Sequence, residues 1–402
     1  MTSASPFLPY ARQAIDDDDI RVVMDALKSD MLTTGPAVEV YEKAFAQASG
    51  AGHAVACNSG TAALHLAVLG LGVGGGDHVI VPTVTFLATA NVVRMAGGEV
   101  VFADVDPDSG LLTPASLERA LDKSREAGIN VVGAVPVHLN GQVCDMSGLA
   151  AVAQRAGIWL MEDACHALGA SQIGCSPGSS AAAFSTHPVK GITTTEGGVV
   201  TTSKADMAEL MRSLRSHGMI RDPDCFTEGE LAFEKDQANP WYYEMHQIGW
   251  NYRLPDVMCA LGTSQLRKLA GWHQARENLA AAYRNELAPL APLVTPVSRS
   301  HQNDGWHLYP VLIDFEAAGL SRRFVMNELR DRQIGTQVHY IPVHLQPYYR
   351  ARNPDLDLPG AEAYYRRCLS LPFFATMERS DVSRVVDALH QILRSNSHRT
   401  VA

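Results

Sequence analysis

The sequence predicts an α/β fold: a large domain on a parallel or mixed sheet with helices on both faces, then a smaller C-terminal α/β domain. Three observations carry this. From about residue 54 to residue 205, short apolar runs alternate with helix-length amphipathic segments. The runs are almost purely apolar, as strands covered on both faces must be. And 402 residues are too many for a single core, which places a large domain over 1–255 and a second unit over 256–402.

Taken in order, the four acidic residues 16–19 precede "IRVVMDALKSD", where capping and the helix dipole favour negative charge. "HAVAC" then leads to "TAALHLAVLGLG", and "HVIVP" to "TFLATANVVRMAG". "EVVFADV" precedes "TPASLERALDKSREAG", "NVVGAVPVHL" precedes "MSGLAAVAQRAG", and "IWLMEDA" follows. Each pair reads as strand and helix. "GLGVGGGD" (70–77) follows a helix and precedes a strand, so it is a helix end and turn; a nucleotide loop needs the reverse order. Residues 205–219 form another helix, and 220–253 are polar, aromatic and irregular. One long helical segment is expected from residue 255 to about 287. The C-terminal unit should hold a strand in "GWHLYPVLIDF", a helix in "SRRFVMNELRDRQI", a strand in "TQVHYI", and helices near 360–368 and 379–394.

Composition narrows the function. Apolar residues make up 46% and charged residues 19%, an ordinary globular balance. A net charge of −10 argues against a general nucleic-acid or anionic-membrane binder. The N-terminal stretch has no apolar signal core, and no apolar run of about 18 residues could span a membrane, so a cytoplasmic protein is expected. The 7 cysteines are scattered and never spaced as CxxC, which reads as reduced thiols. His339 and His344 lie close but lack a Cys or acidic partner at metal spacing, so no metal is expected.

In an α/β sheet, ligands sit beyond the carboxyl ends of the strands. After "HAVAC" comes Asn58-Ser59-Gly60-Thr61, small residues opening a helix, which makes a phosphate cradle. After "HVIVP" comes Phe86, able to cover a flat ring or to join the core. After "IWLM" comes Asp163, an acid costly to bury unless a cation such as a pyridinium meets it; a capping role is the alternative. After "AAAFS" comes Lys190 among small uncharged residues, where burial favours a neutral, nucleophilic amine. A phosphate cradle, a ring cover, an acid for a ring nitrogen and a Schiff-base lysine together match what pyridoxal 5′-phosphate requires.

At these residues the chain resembles the DegT/DnrJ/EryC1/StrS family of sugar nucleotide aminotransferases. The likeness runs nearly end to end, through "NSGTAALHLA", "VPTVTFLATAN", "MEDACHALGA", "FSTHPVKGITTTEGGVVTT" and "IGWNYRLPDVMCALGTSQL". It implies the fold-type I, aspartate aminotransferase-like architecture of pyridoxal-phosphate-dependent transferases. "HPVKGITTTEGG", "WYYEMHQIGWNYRL" and "GWHLYPV" resemble the branch of the family serving pseudaminic acid biosynthesis. That branch implies L-glutamate as amino donor and a UDP-linked 4-keto sugar, UDP-2-acetamido-2,6-dideoxy-β-L-arabino-hex-4-ulose, as acceptor, with pyridoxamine 5′-phosphate formed between the half-reactions.

Carried over, the resemblance makes Lys190 the Schiff-base residue and Asp163 the partner of the pyridine nitrogen. His166 would lie near the ring hydroxyl and Phe86 on the ring, and Gly60, Thr61 and Ser185 would hold the phosphate. Asn251 would reach the phosphate from a neighbouring subunit, which implies a homodimer with shared active sites. Thr34, His187, Tyr309, His339 and Tyr340 are the implied substrate-pocket residues. Three other readings stay open: a transaminase for a perosamine- or bacillosamine-type sugar, a pyridoxal-phosphate-dependent sugar dehydratase, and a non-catalytic regulatory protein. The dehydratase relatives carry histidine at the lysine position, so Lys190 weighs against that one.

Overall fold

The computed structural model describes residues 6–171, 173–174, 176–298 and 304–397. Its N-terminal part places two helices, α1 (Asp17–Leu27) and α2 (Pro36–Ser49), ahead of the alternation read from the sequence. There follow β1 (His53–Cys57), α3 (Gly60–Gly70), β2 (His78–Pro82), α4 (Leu87–Met95), β3 (Glu99–Ala103), α5 (Pro114–Glu126), β4 (Val131–Ala134), α6 (Met146–Ala156), β5 (Trp159–Asp163), β6 (Ser179–Ser185), β7 (Gly198–Thr202) and α7 (Ala205–Arg215). Asp16 caps α1: its side chain accepts from the Asp19 amide while Asp19 reaches back to the Asp16 amide. The turn after α3 passes through Gly72 at φ 77°, a conformation open to glycine, before β2 begins.

The strands form one seven-stranded mixed sheet in the order β1-β7-β6-β5-β4-β2-β3. β7 runs antiparallel to both its neighbours, and the remaining pairs are parallel. Successive residues therefore feed opposite cores. Val55, Cys57, Ala181 and Ala183 join a core with α3 to α7. Ala54, Ala56, Ala182 and Phe184 join a second with Tyr41 and Phe45 of α2. Both faces are covered, which is why these strands read as unbroken apolar runs.

Residues 220–253 are not featureless. β8 (Met219–Ile220) pairs with β11 (Glu244–Met245), and after α8 (Gly229–Ala232) a small hairpin joins β9 (Phe233–Glu234) to β10 (Gln237–Ala238). One carboxylate organises this lobe. Glu244 accepts hydrogen bonds from the Thr227 amide and hydroxyl, the Glu228 amide and the Tyr242 hydroxyl, and lies 2.5 Å from His246 Nε2.

The expected single long helix is two, α9 (Asp256–Leu266) and α10 (Leu269–Leu287). The Lys268 side chain at the break is held by Asp16 and Asp19 of the α1 cap. A three-stranded antiparallel sheet follows, with β13 (Tyr309–Ile313) between β12 (Val294–Pro296) and β14 (Cys368–Leu371). Around it lie α11 (Arg322–Asp331), α12 (Pro347–Arg350), α13 (Pro359–Arg367) and α14 (Arg379–Ser397). The apolar faces of α10, α11 and α14 build a third core with Tyr283, Tyr309, Leu329, Phe373 and Leu389, whereas Tyr349 of α12 and Ala361 and Tyr364 of α13 join the first core. "TQVHYI" is not a strand: Gln337 makes one bridge to Ser370, and residues 338–341 turn away to line a cleft against the large sheet.

Candidate active site

The cleft has a volume of about 540 Å³ and lies at the carboxyl ends of β1, β5 and β6, closed on its far side by residues 337–341. The sheet register gathers its anion-binding end. Gly198 pairs with Cys57 on one side and with Ser185 on the other, so the ends of β1 and β6 flank the start of β7. Ser59 caps α3 by accepting from the Ala62 amide at 3.0 Å, leaving the amides of Gly60 and Thr61 without intrahelical acceptors. The fit is close: a Cβ at Gly60 would lie 2.8 Å from Cβ of Ser185, and one at Gly198 only 2.3 Å from the Ser59 carbonyl oxygen. Free amides, a helix N-terminus and the Ser185 hydroxyl suit a phosphate.

Lys190 sits in the loop between β6 and β7. That loop is pinned at both ends, by Thr186 N to Gly197 O and Thr194 N to Thr186 O, both at 2.9 Å, and on its flank by Thr193 N to Gln265 Oε1 at 3.1 Å. Lost hydration lowers the Lys190 pKa below the ordinary lysine range, against the opposing influence of Cys165 and Asp163. The amine thus spends more time neutral than a surface lysine does.

Asp163 ends β5 and is 5% exposed. Its Oδ2 accepts from Thr89 Oγ1 at 2.7 Å and its Oδ1 from the Cys165 amide at 3.1 Å. Among the described residues no lysine, arginine or histidine pairs with it, so a buried carboxylate faces the cleft with room for a cationic N–H. His166 has a fixed tautomer. Its Nδ1 accepts from the Asn140 amide at 3.2 Å, so the proton is on Nε2, which donates to the Tyr340 hydroxyl oxygen at 3.1 Å. Burial, then the charges of Lys190 and His339, hold the His166 pKa well below its ordinary value, so the ring is neutral. The Tyr340 O–H is left free to donate into the cleft. His339 bonds Ser370 Oγ through Nδ1 at 2.8 Å, and burial with Lys190 nearby lowers its pKa to about 3.

Gly60, Thr61, Phe86, Asp163, His166, Ser185, His187, Lys190, His339 and Tyr340 thus all line one cleft, although they come from distant parts of the chain. Phe86 stands at the N-cap of α4, 55% exposed, with its ring 5.8 Å from that of Tyr340. Three expected residues lie elsewhere. Tyr309 does not reach the cleft: it is 3% exposed and stacks on Tyr283 at 4.6 Å in the small-sheet core, because β13 turns that face inward. Thr34 lies in a separate depression with Arg212, His217 and Arg253. Asn251 is exposed outside the cleft. Its carbonyl accepts from Asn58 Nδ2, and the flanking Trp250 and Tyr252 rings stack 6.0 Å apart and pack against His65.

Sequence reasoning missed Thr89 and Tyr10. Thr89 lies four residues after Thr85, one helical turn on, and the two hydroxyls are 2.8 Å apart; that spacing was a readable signal. Tyr10, which stands 5.6 Å from His339, carries none. The neutral or poorly hydrated amine, the unpaired buried acid and the phosphate-type cradle fit pyridoxal 5′-phosphate.

A family model described as the DegT/DnrJ/EryC1/StrS aminotransferase family matches residues 13–390. The chain is 38% identical over 394 residues to the spore coat polysaccharide biosynthesis protein SpsC of Bacillus subtilis, covering 96% of this chain and 97% of that protein. Among solved structures it is similar to Helicobacter pylori PseC, an aminotransferase involved in the biosynthesis of pseudoaminic acid. There the TM-score is 0.85 at 28% identity, over 97% of this chain and 100% of that one. It is also similar to Spr1654 of Streptococcus pneumoniae, a putative sugar aminotransferase solved in its PMP form. That match has a TM-score of 0.85 at 25% identity, over 98% of this chain and 100% of that one.

Proposed function

The chain belongs to the DegT/DnrJ/EryC1/StrS aminotransferase family and is a pyridoxal-phosphate-dependent sugar aminotransferase; from that premise we propose that it moves an amino group from L-glutamate to C4 of a UDP-linked 4-keto-6-deoxy-N-acetylhexosamine. The acceptor proposed is UDP-2-acetamido-2,6-dideoxy-β-L-arabino-hex-4-ulose, on the route to pseudaminic acid. The observation that carries the chemistry is the meeting of Lys190 and Asp163 in one cleft with the Ser59-Gly60-Thr61 helix start. The likeness to PseC over 97% of the chain supports the pathway.

When bound, the cofactor supplies an electron sink that acidifies the substrate carbon bearing nitrogen. The chain's own residues supply the rest. The amides of Gly60 and Thr61 and the Ser185 hydroxyl would hold the phosphate. Asp163, fixed by Thr89 and the Cys165 amide, would keep a proton on the ring nitrogen. Lys190 Nζ, lowered in basicity, would take the proton from the donor's α-carbon and return it to the cofactor carbon on the far side of the shared nitrogen; with the acceptor sugar it would work in reverse. Tyr340, oriented by His166, presents its O–H to the bound reactants, and Phe86 and residues 337–341 limit water. Asn251 and Thr34, outside the cleft of their own chain, are proposed to serve the cleft of a second copy in a homodimer.

The stronger identity to SpsC, a spore coat polysaccharide protein, favours a second reading in which the acceptor is a different nucleotide-linked 4-keto sugar. A single-turnover experiment separates the two. Protein loaded with pyridoxamine phosphate is offered UDP- and dTDP-4-keto-6-deoxy sugars, and the visible absorbance of the lysine-bound cofactor is followed. Return with the β-L-arabino ketosugar alone is the expected result. A faster return with another ketosugar moves the enzyme to another pathway, and no return with any of them removes both readings.

A further inference from the structure

The Nδ1 side of His166 meets a tight turn at 138–141, tied to the end of β5 by the His138 amide, which donates to the Asp163 carbonyl at 3.0 Å. Within it Asn140 has φ 62° and ψ 8°, in the left-handed region. Residues other than glycine are uncommon there, asparagine being among the few that adopt it at modest cost. Seven described residues other than glycine have positive φ: Thr34, Asn140, Thr195, His217, Lys235, Asp236 and Gln333. Six of them are exposed, and Asn140 alone is buried, with none of its surface open to solvent. A conformation of this kind deep in the structure persists because its surroundings impose it, and such outliers gather at functional sites.

The surroundings are specific. The Asn140 carbonyl accepts from the His307 and Leu308 amides, both at 3.4 Å, and its Nδ2 donates to the Tyr364 hydroxyl of α13 at 3.1 Å. The next residue, Gly141 at φ 88°, passes so near Gly305 that a Cβ would strike the Gly305 carbonyl. What the conformation sets is the direction of one peptide unit. The carbonyl of Leu139 accepts from the Gln142 amide at 3.0 Å, and the N–H on the other side of that bond, belonging to Asn140, points at His166 Nδ1 at 3.2 Å. With residue 140 in the right-handed region the unit would be rotated about the N–Cα bond, and the N–H would leave the ring. A backbone amide can only donate, so while it stays Nδ1 must accept. Without it a neutral His166 is free to carry its proton on Nδ1. Nε2 then accepts from the Tyr340 hydroxyl, 3.1 Å away, and the Tyr340 proton is drawn out of the cleft. Other groups face the ring without fixing this choice: the His307 ring lies 4.5 Å from it, and Lys190 and His339 act on it through their charge.

We propose that Asn140 is a positioning residue: by holding a buried left-handed turn it fixes the His166 proton on Nε2 and so keeps the Tyr340 O–H directed into the cleft. The effect on the bound cofactor rests on the reading that Tyr340 faces it; the proton arrangement of His166 does not.

The test reads the ring nitrogens directly. Full-length protein labelled with nitrogen-15 at histidine, with and without pyridoxal phosphate, separates protonated from bare ring nitrogens by their shifts, and the signal lost in His166→Gln assigns the residue. Asn140→Gly removes the side chain but enters the left-handed region freely, so the Nε2–H pattern should remain. Asn140→Ala and Asn140→Val are progressively costlier there and should populate the Nδ1–H form in that order. The pH midpoint of the visible absorbance of the loaded protein should move by about half a pH unit or more in the valine variant. If the valine protein does not fold, the alanine one decides alone. Wild-type nitrogen shifts in these variants overturn the proposal. So does a glycine variant displaced as far as the alanine one, since the hold on His166 would then lie in the Tyr364 bond. Nitrogen shifts that follow the series while the absorbance midpoint stays fixed uphold the role of the turn and count against Tyr340 as the cofactor's partner.

Discussion

The Asp163 carboxylate is held by a relay of hydroxyls. Thr89 donates its proton to Asp163 Oδ2, so its oxygen is the acceptor for Thr85. Removing the middle member leaves one buried carboxylate oxygen without its donor. Thr89→Val is therefore expected to loosen cofactor retention and to lower kcat by about tenfold or more, and Thr89→Ser to restore most of both. Equilibrium dialysis against pyridoxal phosphate and steady-state kinetics read the two effects; a valine variant with wild-type values would show the relay to be idle. Lys190→Ala is expected to abolish turnover while the protein still retains pyridoxamine phosphate, measured by release on denaturation. Lys190 and Asp163 were legible in the sequence because each follows an apolar strand, where a charged group is conspicuous. Thr89 was legible only through its spacing from Thr85, a weak signal because a threonine inside a helix has many unremarkable explanations. Tyr309 was misplaced because a strand's pattern shows that its faces differ and does not say which one the cleft lies against.

At the scale of elements, the approach of α3 to the end of β6 leaves no room for a side chain at Gly60. Gly60→Ala should push the helix start away from Ser185 and weaken cofactor binding by about tenfold, with little change in melting temperature of the cofactor-free protein. Titration of the cofactor-free protein with pyridoxal phosphate checks this. A second joint links α2 to α9. Asp256 accepts from the Gly35 amide at 2.8 Å and the Ala37 amide at 3.1 Å, supplying from another helix the cap that α2 lacks in its own sequence. Asp256→Ala should cost about 1–2 kcal/mol, seen as a lower denaturant midpoint with unchanged slope. Helices and buried strands were readable because their periodicities are strong. The break between α9 and α10 was not, since it depends on Lys268 meeting Asp16 and Asp19, acids far away in sequence. Nor was the course of 337–341, where alternation resembling a strand serves to line a cleft.

Across the whole molecule, buried neutral histidines set a pH limit. Burial lowers the pKa of His65 to about 4 and of His339, with help from Lys190, to about 3, and holds His166 and His307 well below their usual value. In the unfolded chain these rings titrate near about 6.5. The unfolded chain therefore binds more protons than the folded one in the window below that value, and stability falls as pH drops through it. For His65, 1% exposed, the loss by pH 5 is about 2 kcal/mol. The melting temperature should fall between pH 7 and pH 5, and His65→Gln should flatten part of that fall; identical pH profiles for the two proteins would remove the argument. The two-layered plan of large and small units was visible in the sequence's length and alternation. The three cores and the way the small unit walls the cleft depend on contacts between distant segments, which no local pattern encodes.

The order of the chain also separates the site in time. Ser59, Gly60, Asp163, Ser185 and Lys190 all precede the end of β7 at Thr202, and strands β1, β7, β6 and β5 that carry them are contiguous neighbours. The opposite wall, with His339 and Tyr340, comes from the last part to be synthesised. On the ribosome, where domains fold as the chain emerges, the phosphate cradle and its lysine can assemble while the cleft still stands open to solvent. The cradle and its lysine thus leave the ribosome before the residues of the opposite wall of the cleft are made.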